Sequence, residues 1–289
     1  MRVIVTGANG QLGRCLRGKF SPVEALFIDR DDVDLSDRQA VSDFFASQPC
    51  ELVVNCAAFT DVDGAENDRV SAMAVNAMAI ANIADCSLRH NFRIIHISTD
   101  YVFDGRTDVP YRETDPTAPA TVYGQTKLEG ERLLLQTNPN SVIIRTAWLY
   151  SPYGRNFFLT MRRRAIDSLP SKVIDDQIGS PTSALGLADA IRAVVMSDRW
   201  MPGIYHYSDE GRISWFDFAR EIYRLYSKNG ADGLVSPVST ADYGAKTPRP
   251  LFSVLDKSKF KATFSFPISD WKSRLGETAR LTDNNHGTE

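Results

Sequence analysis

A phenol at Tyr123 and an amine at Lys127 stand four residues apart, on one face of any helix that carries both. Reducing a ketone requires a proton at oxygen as hydride reaches carbon. A tyrosine can deliver that proton if a nearby cation stabilises its phenolate. YxxxK pairs also arise on solvated helix faces, so a third partner is needed. It follows the β-rich run Ile94-Ile95-His96-Ile97, which leads into Ser98-Thr99-Asp100-Tyr101-Val102-Phe103-Asp104-Gly105. Open α/β sheets bind ligands beyond the C-terminal ends of their strands, which is where these hydroxyls fall. Thr99 could then donate to a substrate carbonyl. Ser98 is expected to support the turn, and His96 to pack or hydrogen-bond within the strand.

Hydride chemistry needs a dinucleotide, and the start of the chain offers a place for one. Val3-Ile4-Val5 runs into Thr6-Gly7-Ala8-Asn9-Gly10-Gln11-Leu12-Gly13, a GxxGxxG pattern between a strand and a helix. Gly7 permits a tight turn, Gly10 a close approach of backbone to pyrophosphate, and Gly13 close packing of the helix. Asn9, Gln11 and Leu12 complete the loop, and the helix start favours an anion. The second strand ends at Ile28-Asp29-Arg30. Asp29 suits the ribose hydroxyls of NADH, whereas Arg30 suits the 2′-phosphate of NADPH, so both cofactors stay open. Asp34 and Leu35 could edge the adenine pocket, with Ser36 as an alternative helix cap. Asn55-Cys56-Ala57-Ala58, continued by Phe59, closes a third strand with small side chains that let a dinucleotide lie close.

The elements that must position these groups form a repeating pattern. Val3 to Val5, Ala25 to Ile28, Leu52 to Asn55, Arg93 to Ile97 and Val142 to Arg145 are short β-branched runs separated by segments of helical spacing. That alternation predicts α/β architecture, a doubly wound parallel sheet of Rossmann type with a smaller mixed α/β lobe after it. Residues 1–150 should be mainly the dinucleotide domain, completed by part of 182–200. Residues 151–181 and 201–281 should be mainly the substrate lobe, and 282–289 a polar, frayed tail. Helices are expected over Asn156 to Ala165, up to about Ser197, and after a Ser214 cap.

Composition narrows the function classes. The chain has 289 residues and a formal charge of −3, which gives no general attraction to nucleic acid. The short cluster Arg162-Arg163-Arg164 reads as a solvated helix face. Four scattered cysteines without a CxxC point to reduced thiols and the cytoplasm, with Cys56 a buried small side chain. No apolar run in the sequence predicts a membrane span, and a strand at the first residues leaves no room for a signal peptide.

GANGQLG at 7 to 13, STDYVFDG at 98 to 105 and YGQTK at 123 to 127 together resemble the extended short-chain dehydrogenases, specifically the dTDP-4-dehydrorhamnose reductase family. CAAFTDVDGAE at 56 to 66, RTAWLY at 145 to 150, GRNF at 154 to 157, DQIGSPT at 176 to 182 and RP at 249 to 250 extend the resemblance over about nine-tenths of the chain. It implies NAD(P)H-dependent reduction of the 4-keto group of dTDP-6-deoxy-L-lyxo-4-hexulose to dTDP-L-rhamnose. Thr99, Tyr123 and Lys127 become the catalytic trio, and Thr60, Asp100, Tyr101 and Trp148 fall at sugar-pocket positions. Asn156, Gln177 and Arg249 lie in segments the family uses around the nucleotide-sugar. A guanidinium at 249 also suits a diphosphate. Some members resemble one another in forming dimers bridged by magnesium held by glutamates. At the matching places this chain has Cys15 and Leu185, with Asp189 a turn further on, so no structural magnesium and a monomer or weak metal-independent homodimer are expected. Two alternatives stay open: a reductase of a related nucleotide-linked 4-keto sugar, and a non-catalytic nucleotide-binding regulatory subunit like that of methionine adenosyltransferase. The intact trio disfavours the second.

Overall fold

A computed structural model describes residues 1–228 and 230–286. Its centre is a six-stranded parallel sheet made of β1 (Val3–Thr6), β2 (Ala25–Ile28), β3 (Leu52–Asn55), β4 (Arg93–Thr99), β5 (Val142–Thr146) and the strand Gly203–His206. Across the sheet the order runs from Gly203–His206 through β5, β4, β3 and β1 to β2. Every residue of β1, β3 and β5 is buried, as a sheet covered on both faces requires. The chain leaves β1 for β2 on one side and returns to β3 on the other. The crevice beyond the C-terminal ends of β1 and β3 is therefore the topological switch point where such sheets bind ligands.

The helices are α1 (Gln11–Arg17), α2 (Arg38–Ser47), α3 (Val62–Asn67), α4 (Arg69–Met73), α5 (Ala79–His90), α6 (Val122–Thr137), α7 (Phe157–Ile166), α8 (Ala184–Val195) and α9 (Trp215–Tyr226). Leu16 of α1 and Leu187 and Ile191 of α8 cover one face of the sheet. Val41 of α2, Ile80 and Ile83 of α5 and Leu134 of α6 cover the other. Between α4 and α5 the run takes a π turn at Ala74–Met78. Four residues apart, Ala74 and Met78 share one face of a regular helix. The wider turn instead leaves Met78 47% exposed and turns Asn76 inward. The run Arg69–His90 has the length and composition of a membrane span, but 56% of its apolar window is buried inside the fold, as in a core helix.

A second core joins Phe158 and Met161 of α7, Phe218, Ile222 and Tyr223 of α9, and Trp271 and Leu275 of the helix Trp271–His286. Ser214 caps α9 through a reciprocal pair with Asp217. Two sequence-based expectations need correction. Gly203–His206, within the 201–281 stretch expected to be mainly substrate lobe, pairs with β5 as the edge of the main sheet, where Ile204 and Tyr205 pack on its opposite faces. The tail does not fray at Thr282: that residue is buried, its hydroxyl donates to the Thr278 carbonyl at 2.7 Å, and Asp283 pairs with Arg162 at 3.0 Å. Residues 287–289 of that expected tail lie outside the described residues.

Candidate active site

The glycine-rich loop is shaped by contacts that only glycine allows. Gly7 has φ +66°, and a Cβ there would stand 2.6 Å from the Ala57 backbone nitrogen, so the β1 turn lies directly on the segment leaving β3. A Cβ at Gly13 would meet the Gly7 carbonyl oxygen at 2.3 Å, which lets α1 press onto the loop. Gly10 is the N-cap of α1 and no side chain caps it. The first N–H groups of α1 thus have no competing side chain, as an anion requires. With the close passage of Ala57, this cradle fits a dinucleotide diphosphate.

Around the cradle the other cofactor residues divide into committed and open groups. Asp29 accepts from the Asn9 backbone N–H at 2.7 Å and from that of Arg30 at 2.8 Å, so it braces the loop as well as facing the crevice side of β2. Arg30 is exposed. Asp34 accepts from both the N–H and the hydroxyl of Ser36, and α2 is capped by Asp37. Ser36 is therefore not the helix cap that sequence spacing allowed. The Leu35 carbonyl accepts from Asn82, and an open hollow of about 480 Å³ lies along Arg30, Val33, Asp34 and Phe44. Phe59 is gripped at both backbone groups by Asn76, which also donates to Thr126 of α6 at 3.0 Å. Ala58 and the exposed Thr60 flank it.

The catalytic candidates converge at the end of β4. Thr121 caps α6, and Gly124 presses so closely on the turn after β4 that a Cβ would meet the Tyr101 carbonyl oxygen at 2.2 Å. That approach sets Tyr123 beside Tyr101, edge to face at 5.3 Å, and near Thr99. Burial pushes the Tyr123 phenol up to about 12, with the Thr99 hydroxyl partly offsetting it. Thr99 donates to Asp100 at 3.0 Å, and burial raises the Asp100 carboxyl to about 7. Lys127 is buried and donates to the Ile97 carbonyl at 2.7 Å. Burial pulls its ammonium down to about 8, against the opposing pull of Glu131.

The second lobe supplies a wall. Trp148 holds φ 48°, a conformation a tryptophan rarely adopts, and stacks on Trp215 at 3.6 Å between ring centroids and 10° between planes. Its ring also rests on Gly179, where a Cβ would intrude to 2.4 Å. Arg249 pairs with Asp63 at 2.8 Å and lies near Tyr101. Asn156 and Gln177 are differently placed. Asn156 caps α7 and donates to Gln11, Ser151 and Tyr153, tying the glycine-rich loop to the second lobe. Gln177 is buried and donates to Thr240. Sequence reasoning did not single out Asn55, Asn76 or Trp215. An asparagine inside an apolar stretch is the signal that marks the first two.

A family profile described as RmlD substrate binding domain matches residues 1–283. A dTDP-4-dehydrorhamnose reductase of Aggregatibacter actinomycetemcomitans is 38% identical over 287 residues, 95% of this chain and 97% of that protein. The spore coat polysaccharide biosynthesis protein SpsK of Bacillus subtilis is 38% identical over 278 residues, covering 96% of each chain. The crystal structure of a dTDP-4-dehydrorhamnose reductase from Clostridium acetobutylicum matches with a TM-score of 0.91 at 37% identity, over 98% of this chain and 100% of that one. That of a Bacillus anthracis dTDP-4-dehydrorhamnose reductase in complex with NADP matches with a TM-score of 0.91 at 34% identity, over 97% and 99%.

Proposed function

We propose, from the premise that this chain belongs to the dTDP-4-dehydrorhamnose reductase family, that it reduces the 4-keto group of dTDP-6-deoxy-L-lyxo-4-hexulose to give dTDP-L-rhamnose. The observation that carries this reading is the meeting of Thr99, Tyr123 and Lys127 where β4 ends, two strands from the glycine cradle on β1. The first N–H groups of α1 and the Gly7–Gly13 loop would hold the diphosphate of NADH or NADPH, with Asp29 and Arg30 toward the adenosine ribose. A reduced nicotinamide, when bound, supplies hydride to the carbonyl carbon.

The chain's own groups manage the proton and the charge. With its phenol pushed up to about 12, Tyr123 keeps its proton at neutral pH and gives it from Oη to the carbonyl oxygen. The Lys127 ammonium then steadies the phenolate, while the Thr99 hydroxyl stabilises charge developing on the substrate oxygen. Tyr101, Trp148 and Trp215 form an apolar wall that excludes water from the sugar ring. Arg249 would turn its guanidinium from Asp63 to the substrate diphosphate. In this reading the protein works in the cytoplasm, uses both NADH and NADPH, engages neither nucleic acid nor membrane, and is a monomer or weak metal-independent homodimer.

The direct test is purified protein with the dTDP-deoxyhexulose and each reduced cofactor. NAD(P)H oxidation with dTDP-L-rhamnose identified by NMR is the expected result. Absence of oxidation while a control reductase turns over rejects the reading. A different product from a related 4-keto sugar, formed faster, reassigns the substrate.

A further inference from the structure

His96 is a buried polar side chain that the proposed chemistry leaves unused, yet its partners fix its proton. The Ala57 backbone N–H donates to Asn55 Oδ1 at 3.2 Å, and the Thr6 hydroxyl donates to the same oxygen at 2.5 Å. A backbone N–H can only donate, so this arm of the Asn55 amide is its carbonyl and the other arm its NH2. That NH2 meets His96 Nδ1 at 3.0 Å. Nδ1 must then be the bare acceptor, and a neutral imidazole so held carries its proton on Nε2. Nε2 faces Lys127 Nζ at 3.5 Å.

We propose that His96 is a positioning residue for Lys127: locked by Asn55 in the Nε2–H tautomer, it turns an N–H toward the lysine and loosens that residue's hold on its proton. An ammonium gains nothing from a facing N–H, whereas an amine accepts from it. Thr6, Asn55, His96 and Lys127 form one buried seam across β1, β3, β4 and α6, each no more than 2% exposed. Burial, and the lysine itself, hold the His96 imidazole well below its usual range, so it stays neutral.

The other groups around Lys127 do not replace this effect. Glu131, on the same helix, pulls the lysine's proton affinity up, but both its oxygens are bonded to Arg145 of β5. Cys56, after β3, is a thiol pushed up to about 12 by burial and carries no charge at neutral pH. Tyr123, one turn earlier on α6, also stays protonated. Burial already pulls the lysine down to about 8, the His96 N–H acts in the same direction, and the ammonium that steadies the Tyr123 phenolate is lost as pH rises through that point. Only this kinetic consequence rests on the proposed reaction.

Two measurements decide the matter. In protein carrying 15N-histidine, with the His96 signal assigned by its loss in His96→Leu, NMR should show the Nε2–H tautomer at neutral pH. In Asn55→Asp, where an acceptor replaces the NH2, it should show Nδ1–H. An Nδ1–H tautomer or an imidazolium in the unaltered protein overturns the proposal. In kinetics with the dTDP-deoxyhexulose, Asn55→Asp should raise the alkaline limb of kcat/KM by about one unit, because a bare Nε2 now accepts from the ammonium. In a His96→Leu background the same substitution should move the limb by less than half as much. Equal shifts in both backgrounds overturn the role of His96. No turnover in the unaltered protein rejects the reading of the reaction and leaves the tautomer to the NMR result.

Discussion

The ends of β4 and β5 and the Asn156 turn treat their polar groups differently. Where β4 and β5 end, among the described residues, Ser98 Oγ, Asp100 Oδ2 and Thr146 Oγ1 are buried without a hydrogen-bond partner. At the turn, Asn156 bonds to Gln11, Ser151, Tyr153 and Leu159, and elsewhere the Gln177 amide is held by Thr240. A buried polar atom left unpaired costs about 1–3 kcal/mol, so it is tolerated where a ligand or water completes it. A side chain bonded at both ends of its amide, as Asn156 is, shapes a site without reading its occupant. The comparison points to ligand contact where groups stay open, at the corner where β4 and β5 end and at Arg249 Nη1, and shows Asn156 holding the loop it bonds to.

The largest expected effect lies at the corner. Tyr123→Phe removes one oxygen from a ring whose packing against Tyr101 is otherwise kept. Turnover should fall by about two to four decades, the usual contribution of a positioned acid, while NAD(P)H affinity measured by fluorescence titration stays within about threefold. Unchanged turnover would remove Tyr123 from the mechanism and leave the corner's open groups unexplained.

Asn156→Ala tests the other side. It removes the α7 cap and leaves Gln11 Oε1 short of a donor, changes that together cost about 1–3 kcal/mol of stability. Denaturant midpoints should show that loss, while KM for the sugar nucleotide changes by less than about threefold at a temperature where the variant is folded. A tenfold rise in KM with stability intact would place Asn156 against the substrate and erase the contrast between the two regions.

That contrast also separates what was legible in the sequence from what was not. Ala25–Ile28 and Leu52–Asn55 form the strands their β-branched runs predict, and β4 and β5 extend one or two residues past the expected ends. β3 and β5 are buried throughout, and the edge strand β2 packs Leu26 on one face and Phe27 on the other, so local composition and tertiary demand agree. The Gly7 turn was legible for the same reason: a conformation open to glycine leaves a glycine in the sequence. The π turn at Ala74–Met78 was not, because it depends on α6, where Gly130 would place a Cβ 2.2 Å from the Asn76 carbonyl oxygen. Trp148 in a left-handed conformation was equally hidden. Its stack on Trp215 joins residues far apart in the chain, and neither carries a local sign of the other.

The Trp148–Trp215 pair yields a smaller prediction. Stacked aromatic rings contribute about 0.5–1.5 kcal/mol beyond their burial, so Trp215→Leu should release Trp148 and raise KM for the sugar nucleotide by about three- to tenfold. The value of kcat should change little, since the corner is untouched. Loss of kcat with KM unchanged would show that the wall acts on the reacting carbonyl and not on sugar binding.

The smallest expected effect is none. The surface where Asp189 lies carries cationic side chains: Lys19 reaches one Asp189 oxygen at 2.5 Å and Arg274 the other at 3.2 Å, while Arg274 also holds Glu277 at 2.7 Å. Cys15 is buried, its thiol pushed up to about 12, and Leu185 offers no donor atom. A magnesium ion needs near-octahedral oxygen ligands, and to obtain them here it would have to displace a lysine and an arginine from the carboxylates they already neutralise. Light scattering coupled to size-exclusion chromatography should therefore give one mass in EDTA and the same mass after magnesium is added. Converting this surface should be harder than restoring one ligand: Leu185→Glu alone should bind no magnesium, because Lys19 and Arg274 remain. Cys15→Glu and Leu185→Glu combined with Lys19→Ala should be the first variant to respond to the metal. A dimer of the unaltered protein that dissociates in EDTA and re-forms with magnesium would show that Asp189 and Glu277 exchange their cationic partners for a metal, and would overturn the metal-independent reading.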